Sequence, residues 1–297
     1  MDDRLVLQLD VLLKNIKNDW DFTIIITGQG ETRVGKSIIS MQIAAYWAYM
    51  IWKLYGLKVP FDLDKNFVFQ GNDLIKKGNE LGVKHPYSPL VFDEAGAYLE
   101  GRKVMSGSTQ QVLDYFRECG QYNMLNILVL PEFFDLPKGI ALSRSIFLID
   151  VFYIADNDAI FQRGYFNFYS RRSKKYLYLY GKKDLNYSAA KSDFSKIPGR
   201  FYNFFPVNEA EYRKLKQEAL KKRETHRRNV FMIQRDALMY LLCGEKQVKE
   251  IKVGEKIMTQ ATLGKRLEQL TGIYMAHNTI SDALRRLHAE FEEGEDI

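Results

Sequence analysis

Residues 22–37 read FTIIITGQGETRVGKS, and their pattern indicates the fold class of the chain. Thr23 to Thr27 form an apolar, β-branched run that is typical of a short buried strand. The residues from Gly30 to Ser37 then match the pattern G-x-x-x-x-G-K-[ST]. An apolar helical segment, Ile38 to Tyr55, follows at once. The order of strand, glycine loop and helix predicts a phosphate-binding loop rather than a plain glycine turn.

The predicted loop uses its backbone, one lysine and one serine to bind a nucleotide. Its glycines let N–H groups turn inward toward an anion, and the following helix adds its positive end. Lys36 is expected to reach the β- and γ-phosphates, and the Ser37 hydroxyl is expected to bind Mg²⁺. ATP and Mg²⁺ are therefore the predicted cofactors. The loop residues are Gly30, Glu31, Thr32, Arg33, Val34, Gly35, Lys36 and Ser37.

The composition sets broad limits on the class of protein. With 297 residues, the chain is long enough for about two domains. Its net charge of +6 favours an acidic partner such as nucleic acid without proving one. Two distant cysteines, Cys119 and Cys243, predict a reduced cytoplasmic setting and no zinc site. Acidic residues near the start predict that a signal peptide is absent, and polar residues within 38–55 predict a buried helix rather than a membrane span.

A second nucleotide motif follows at residues 90–95, LVFDEA. An apolar strand that ends in Asp93 and Glu94 fits a Walker B motif. In that role Asp93 holds Mg²⁺, directly or through water, and Glu94 polarises the attacking water as a general base. The alternative is a strand that ends in a solvated acidic turn. The complete phosphate loop upstream favours the catalytic interpretation.

Further apolar runs at 124–130 and 145–153 alternate with helical segments. This alternation predicts an α/β fold with a mainly parallel sheet covered by helices on both faces. A ligand is expected at the carboxyl ends of the strands. The phosphate loop, the Asp93-Glu94 pair and the Pro131-Glu132 pair all follow predicted strands, so we expect them to meet there.

Residues 161–180 alternate aromatic and polar positions around a basic run, which predicts a β-hairpin with a basic tip. Its basic side chains either bind nucleic-acid backbone or form a solvated turn. These side chains are Arg171, Arg172, Lys174 and Lys175.

The remaining chain is basic and helical. Asn208 to Arg228 is a basic helix that serves as a linker, a subunit contact, a DNA-facing element or a solvated face. Residues 229–297 have the layout of a winged helix-turn-helix, which either reads DNA or binds protein. The candidates for DNA contact are Thr279, Ser281, Asp282, Arg285 and Arg286.

The segment from Asp21 to Tyr153 resembles the FtsK–HerA superfamily, within the additional-strand, catalytic-glutamate branch of P-loop ATPases. The likeness rests on the two nucleotide motifs, on Arg117 at a helix end shortly before a strand, and on strand 127–130 with Pro131-Glu132 after it. The superfamily has a Thr-Gln pair at the last position, whose Gln senses the γ-phosphate, and Glu132 stands there in this chain. Packaging ATPases of viruses and relatives of the zonula occludens toxin proteins belong to this group.

The resemblance implies catalytic roles for Lys36, Glu94, Arg117 and Glu132. Arg117 would be an arginine finger that enters a neighbouring subunit's site, with Arg144 as a second candidate, which implies a homo-oligomeric ring such as a hexamer. The alternative for Arg117 is a cation that offsets the dipole at a helix C-terminus.

The sequence thus predicts a cytoplasmic ring ATPase that acts on double-stranded DNA in viral or plasmid DNA packaging or transfer, with a capsid, portal or other protein partner possible. If the protein is viral, the compartment is the host cytoplasm. The predicted domains are a P-loop ATPase domain at 1–200 with a β-hairpin at 161–183, a basic helical linker at 201–228, and a winged helix-turn-helix at 229–297. The alternatives are a nucleotide-switched replication initiator or DNA-binding regulator, and an ATPase for protein assembly or secretion.

Overall fold

The computed structural model describes residues 1–99, 107–188, 197–226, 250–253, 256–259, 265 and 269. The contacts divide the chain into two units, Met1–Ala219 and Leu220–Ile297. The strands are β1 Phe22–Thr27, β2 Phe67–Val68, β3 Pro89–Phe92, β4 Leu125–Val129, β5 Ser145–Ala155, β6 Phe161–Tyr169, β7 Ile197–Arg200, β8 Glu250–Val253 and β9 Lys256–Thr259. The α-helices are α1 Asp3–Asn15, α2 Lys36–Tyr55, α3 Leu63–Asn66, α4 Gly71–Lys84, α5 Gly96–Leu99, α6 Gly107–Glu118, α7 Arg171–Gly181 and α8 Glu209–His226.

The first unit is built on a seven-stranded sheet with the order β2-β3-β4-β1-β5-β6-β7. The first five strands in this order, β2, β3, β4, β1 and β5, pair in parallel. Strands β6 and β7 extend the sheet in antiparallel pairing. The predicted α/β fold with a mainly parallel sheet is therefore confirmed.

Both faces of the sheet are covered, as the sequence predicts. Ile24 and Ile26 of β1 lie in a buried cluster with residues of α1 and α2. Ile25, which points to the opposite face, lies in a second cluster with residues of α6 and α7. A strand with apolar side chains on both faces is what a central parallel strand requires.

The predicted hairpin at 161–180 is wrong in its second half. β6 pairs with β5 and β7, and the next residues form α7 instead of a returning strand. Ser170 caps this helix, because its side chain accepts a hydrogen bond from the N–H of Ser173. Residues 173, 174, 177, 178 and 181 are buried, which is a helical spacing.

Few residues of the second unit are described. There, β8 and β9 form an antiparallel pair. The predicted helix-turn-helix and its candidate DNA contacts at 279–286 lie outside the described residues, so they stay predictions.

Candidate functional site

The phosphate loop connects the carboxyl end of β1 to the start of α2. Gly30 and Gly35 have φ values of +77° and +108°, a region that glycine reaches without strain. At Gly35 a Cβ atom would also lie 2.9 Å from the ring of Phe201. Gly35 precedes the first residue of α2, so the N–H groups at the start of a 20-residue helix face this loop. The backbone therefore has the shape that an anion-binding turn requires.

Lys36 is the predicted phosphate contact, and its ammonium group lies inside the loop. It donates a hydrogen bond to the carbonyl oxygen of Glu31. Burial lowers the pKa of Lys36, and the carboxylates of Glu94 and Asp93 partly offset this effect. A partly buried ammonium group that is hydrogen-bonded to a neutral carbonyl oxygen is well suited to bind a phosphate oxygen.

The predicted Walker B residues lie beside the loop. They follow β3, and only β4 lies between β3 and β1 in the sheet. The Ser37 hydroxyl donates to Asp93 Oδ2 at 3.1 Å. The N–H of Glu94 donates to Asp93 Oδ1 at 3.0 Å. Asp93 is only 2% exposed, so its charge depends on these donors for stabilisation.

Two residues of α8 complete this cluster, and the sequence analysis did not single them out. The Tyr212 hydroxyl donates to Asp93 Oδ2. The Lys216 ammonium lies 3.0 Å from Asp93 Oδ2 and 2.9 Å from Glu94 Oε1. Burial alone would lower the pKa of Lys216, but both carboxylates outweigh it and the pKa is raised. Burial and the charge of Asp93 raise the pKa of Tyr212, so the phenol stays protonated and acts as a donor.

These groups surround one cleft of about 560 Å³. Besides the loop and the acidic pair, the cleft is lined by Arg163 of β6 and by Arg213 of α8. Arg163 lies in a β-bulge, where Arg163 and Gly164 stand opposite Tyr153 of β5, and Gly164 has φ +97°. A glycine inside a strand pattern is the sequence signal that would have indicated this bulge.

The residues present fit a magnesium ion. The Ser37 hydroxyl and the Asp93 carboxylate supply two hard oxygen ligands within 3.1 Å of each other. Among the described residues there is no group of three or more His, Cys, Asp or Glu that could hold a metal. In nucleotide sites Mg²⁺ takes one or two protein ligands and completes its shell with phosphates and water.

The other two predicted catalytic residues, Glu132 and Arg117, are not among the residues that line this cleft. Glu132 accepts hydrogen bonds from the Tyr187 hydroxyl and from the N–H of Phe134, while Pro131 lines the cleft. The role of Glu132 in sensing the γ-phosphate stays a prediction. Arg117, in the last turn of α6, is 68% exposed and pairs with Asp114 at 2.6 Å.

Arg144 is held in a structural ion pair. Its guanidinium group donates to both carboxylate oxygens of Asp21, with Nη1 to Oδ1 at 2.9 Å. It also donates to the sulfur of Cys119 at 3.1 Å. Asp21 immediately precedes β1, so this pair lies at the amino end of the strand, opposite the phosphate loop. Because the Arg144 side chain is only 21% exposed and already paired with Asp21, this contact argues against Arg144 as a finger.

The basic run at 171–175 does not form one exposed tip. Arg171, Arg172 and Lys175 are exposed in the first turns of α7. Lys174 is fully buried and donates to the carbonyl oxygens of Ala141 and Ser145, so it cannot contact DNA and that prediction is wrong.

Among the helices that the structure describes, none combines the length and apolar character needed to cross a bilayer. No protein-family model matches the sequence, and no curated protein matches it. Several solved structures are similar in part.

The chain is 14% identical to the genome packaging NTPase B204 of Sulfolobus turreted icosahedral virus 2 in complex with AMPPCP, over 52% of this chain and 94% of that one, with a TM-score of 0.34. B204 of Sulfolobus turreted icosahedral virus, described as a DNA-packaging ATPase, is 18% identical over 52% and 95%, with a TM-score of 0.33. The N-terminal domain of zonular occludens toxin from Neisseria meningitidis is 13% identical over 51% and 84%, with a TM-score of 0.33. Likenesses of this size carry no functional conclusion, which must come from the site itself.

Proposed function

We propose that this protein binds ATP with Mg²⁺ and hydrolyses it. One observation carries the proposal. A glycine loop at a helix start, a buried aspartate and a neighbouring glutamate meet in one cleft at the carboxyl ends of β1 and β3. This is the arrangement that phosphoryl transfer to water requires, since positioning and charge stabilisation provide most of its catalysis.

Each residue has a definite role in this reaction. The loop N–H groups and Lys36 bind the phosphate oxygens. Ser37 and Asp93 would hold Mg²⁺, which would supply positive charge next to the phosphates. Glu94 accepts a proton from the attacking water, whose oxygen bonds to the γ-phosphorus. The bond from that phosphorus to the bridging oxygen breaks, and ADP and phosphate are released.

Replacing Glu94 with Gln tests this assignment. We expect the variant to bind a fluorescent ATP analogue like the wild type, because Gln keeps the size of the side chain. Steady-state hydrolysis should fall by about 10²–10⁴-fold, the usual contribution of a general base. Hydrolysis at the wild-type rate would contradict the role of Glu94.

We further propose that hydrolysis drives movement of double-stranded DNA by a ring of copies, as in viral or plasmid DNA packaging or transfer. The net charge of +6 supports an anionic partner. Arg117 supports the ring, because its exposed position leaves it available to a neighbouring copy as an arginine finger.

The decisive measurement is the ATPase rate with and without double-stranded DNA at low and high salt. Stimulation that fades as salt rises is the expected result, because phosphate contacts release counterions. A rate indifferent to DNA would refute the motor and favour an ATPase for protein assembly. Sequence-specific DNA binding without stimulation would favour a nucleotide-switched initiator or regulator.

A further inference from the structure

The start of α8 is part of the core of the first unit, and this fixes the position of Lys216. Tyr212 is only 4% exposed, and its ring packs against Phe67 and Phe69 with centroids 6.4 and 5.8 Å away. Asn208 caps the helix by accepting a hydrogen bond from the N–H of Glu211 at 3.1 Å. Moving this part of α8 away would expose a buried aromatic side chain. Lys216, one turn after Tyr212, is therefore a fixed member of the cleft.

The side chain of Lys216 has freedom that its backbone lacks. It is 25% exposed, and four methylene groups separate its ammonium from the helix. In the proposed reaction, Asp93 binds Mg²⁺. The negative charge of one of the two carboxylates that pair with Lys216 is then balanced by the metal ion. The other carboxylate, Glu94, faces the attacking water. The terminal phosphate, bound in the same cleft, is then the anion with charge still to be neutralised.

We infer that Lys216 is a γ-phosphate contact supplied by the same chain, through which the site distinguishes a nucleoside triphosphate from a diphosphate. This inference rests on the proposed function. It assigns a role to one lysine of the basic helix at 208–228. It also gives the site a cation beside the scissile phosphate within a single subunit, in addition to any finger from a neighbour.

The test is equilibrium binding of two ligands, a non-hydrolysable ATP analogue and ADP, both with Mg²⁺. Lys216→Met should weaken binding of the triphosphate analogue by about tenfold or more, the usual effect of losing a charge-assisted hydrogen bond. Binding of ADP should stay within about twofold, because no γ-phosphate is present. Lys216→Arg should keep most of the preference for triphosphate, since it keeps the charge.

Lys214→Met is the matched control. Lys214 is exposed on the same helix, two residues away and so on another face. The Lys214→Met variant should bind both nucleotides like the wild type. If Lys216→Met does not fold, the more polar Lys216→Gln is measured in its place, and circular dichroism checks the fold of each variant.

Two results would overturn the inference while leaving ATP hydrolysis intact. The first is unchanged binding of the triphosphate analogue by Lys216→Met. The second is tighter binding, which would make Lys216 a competitor of Mg²⁺ for Asp93. A wild-type protein that binds neither nucleotide would instead refute the proposed function itself, and the inference with it.

Discussion

The buried lysine of α7 should make the stability of the fold depend on pH. Lys174 is fully buried, and its ammonium group donates to Ala141 O at 2.6 Å, to Ser145 O at 2.7 Å and to Ser145 Oγ at 2.5 Å. These acceptors are neutral, so they only partly replace the water that a charged group loses. Burial, with a smaller contribution from the charge of Arg171, lowers the pKa of Lys174 from 10.5 to about 7.

The direction of the effect follows from proton binding. Between pH 7 and 10.5 the unfolded chain holds a proton on Lys174 that the folded chain has released. The free energy of unfolding therefore rises with pH across this window. The cost of burying the charge is fully present below pH 7. From pH 7.5 to 9.5 the gain from this lysine is about 2–3 kcal/mol.

The assay is urea unfolding of the full chain, followed by tryptophan fluorescence, at pH values from 7.5 to 9.5. Other groups also titrate, so the informative quantity is the difference between the wild type and Lys174→Met. We expect this difference to change by about 2–3 kcal/mol over that range, in favour of the wild type at high pH. Lys175→Met, which removes an exposed neighbour, should follow the wild type. Parallel curves for the wild type and Lys174→Met would refute the reasoning.

Four other substitutions follow from the structure. Gly164→Ala should lower the free energy of unfolding by about 1–3 kcal/mol or more, because φ is +97° and the new Cβ would lie 2.5 Å from a backbone oxygen. Gly139→Ala, with open space around it, should be close to neutral in the same urea titration. Arg144→Met should cost about 3 kcal/mol by leaving Asp21 unpaired, with the ATPase rate unchanged below the melting temperature. Arg117→Ala should change stability by less than about 1 kcal/mol, as expected for an exposed ion pair, so a loss of ATPase rate in this variant would report on catalysis.

The nucleotide loop and the sheet were predictable because their signals are local. The glycine pattern fixes backbone angles within eight residues, and strand periodicity fixes which faces are buried. The meeting of Ser37 and Asp93 follows from topology, since parallel strands bring their carboxyl ends to one edge.

Helix α7 was missed because two periodicities compete in its sequence. Tyr176, Tyr178 and Tyr180 alternate like a strand, but in the structure Tyr176 and Tyr180 stack on one helical face with ring centroids 5.9 Å apart. Ser170 carries the opposing signal as a helix cap. A cap residue before a basic and aromatic run is a helix-start signal that competes with the alternation.

Lys216 could not have been selected from the sequence. It is one of several basic residues in a helix that reads as a solvated or DNA-facing surface. Its contact with Asp93 spans 123 residues and depends on how Tyr212 anchors the helix against Phe67 and Phe69. Only tertiary packing distinguishes Lys216 from the exposed basic residues of the same helix.

The two ends of the main sheet bear on how copies of this chain can associate. The outermost strands are short, with two residues in β2 and four in β7. Pro198, within β7, has no N–H to offer to a further strand. An open edge strand can pair with a strand of another chain through its row of unpaired N–H and C=O groups. The short strands β2 and β7 present few of these groups. We therefore expect copies to meet through helices and loops, and the folded chain to resist edge-to-edge aggregation at high local concentration.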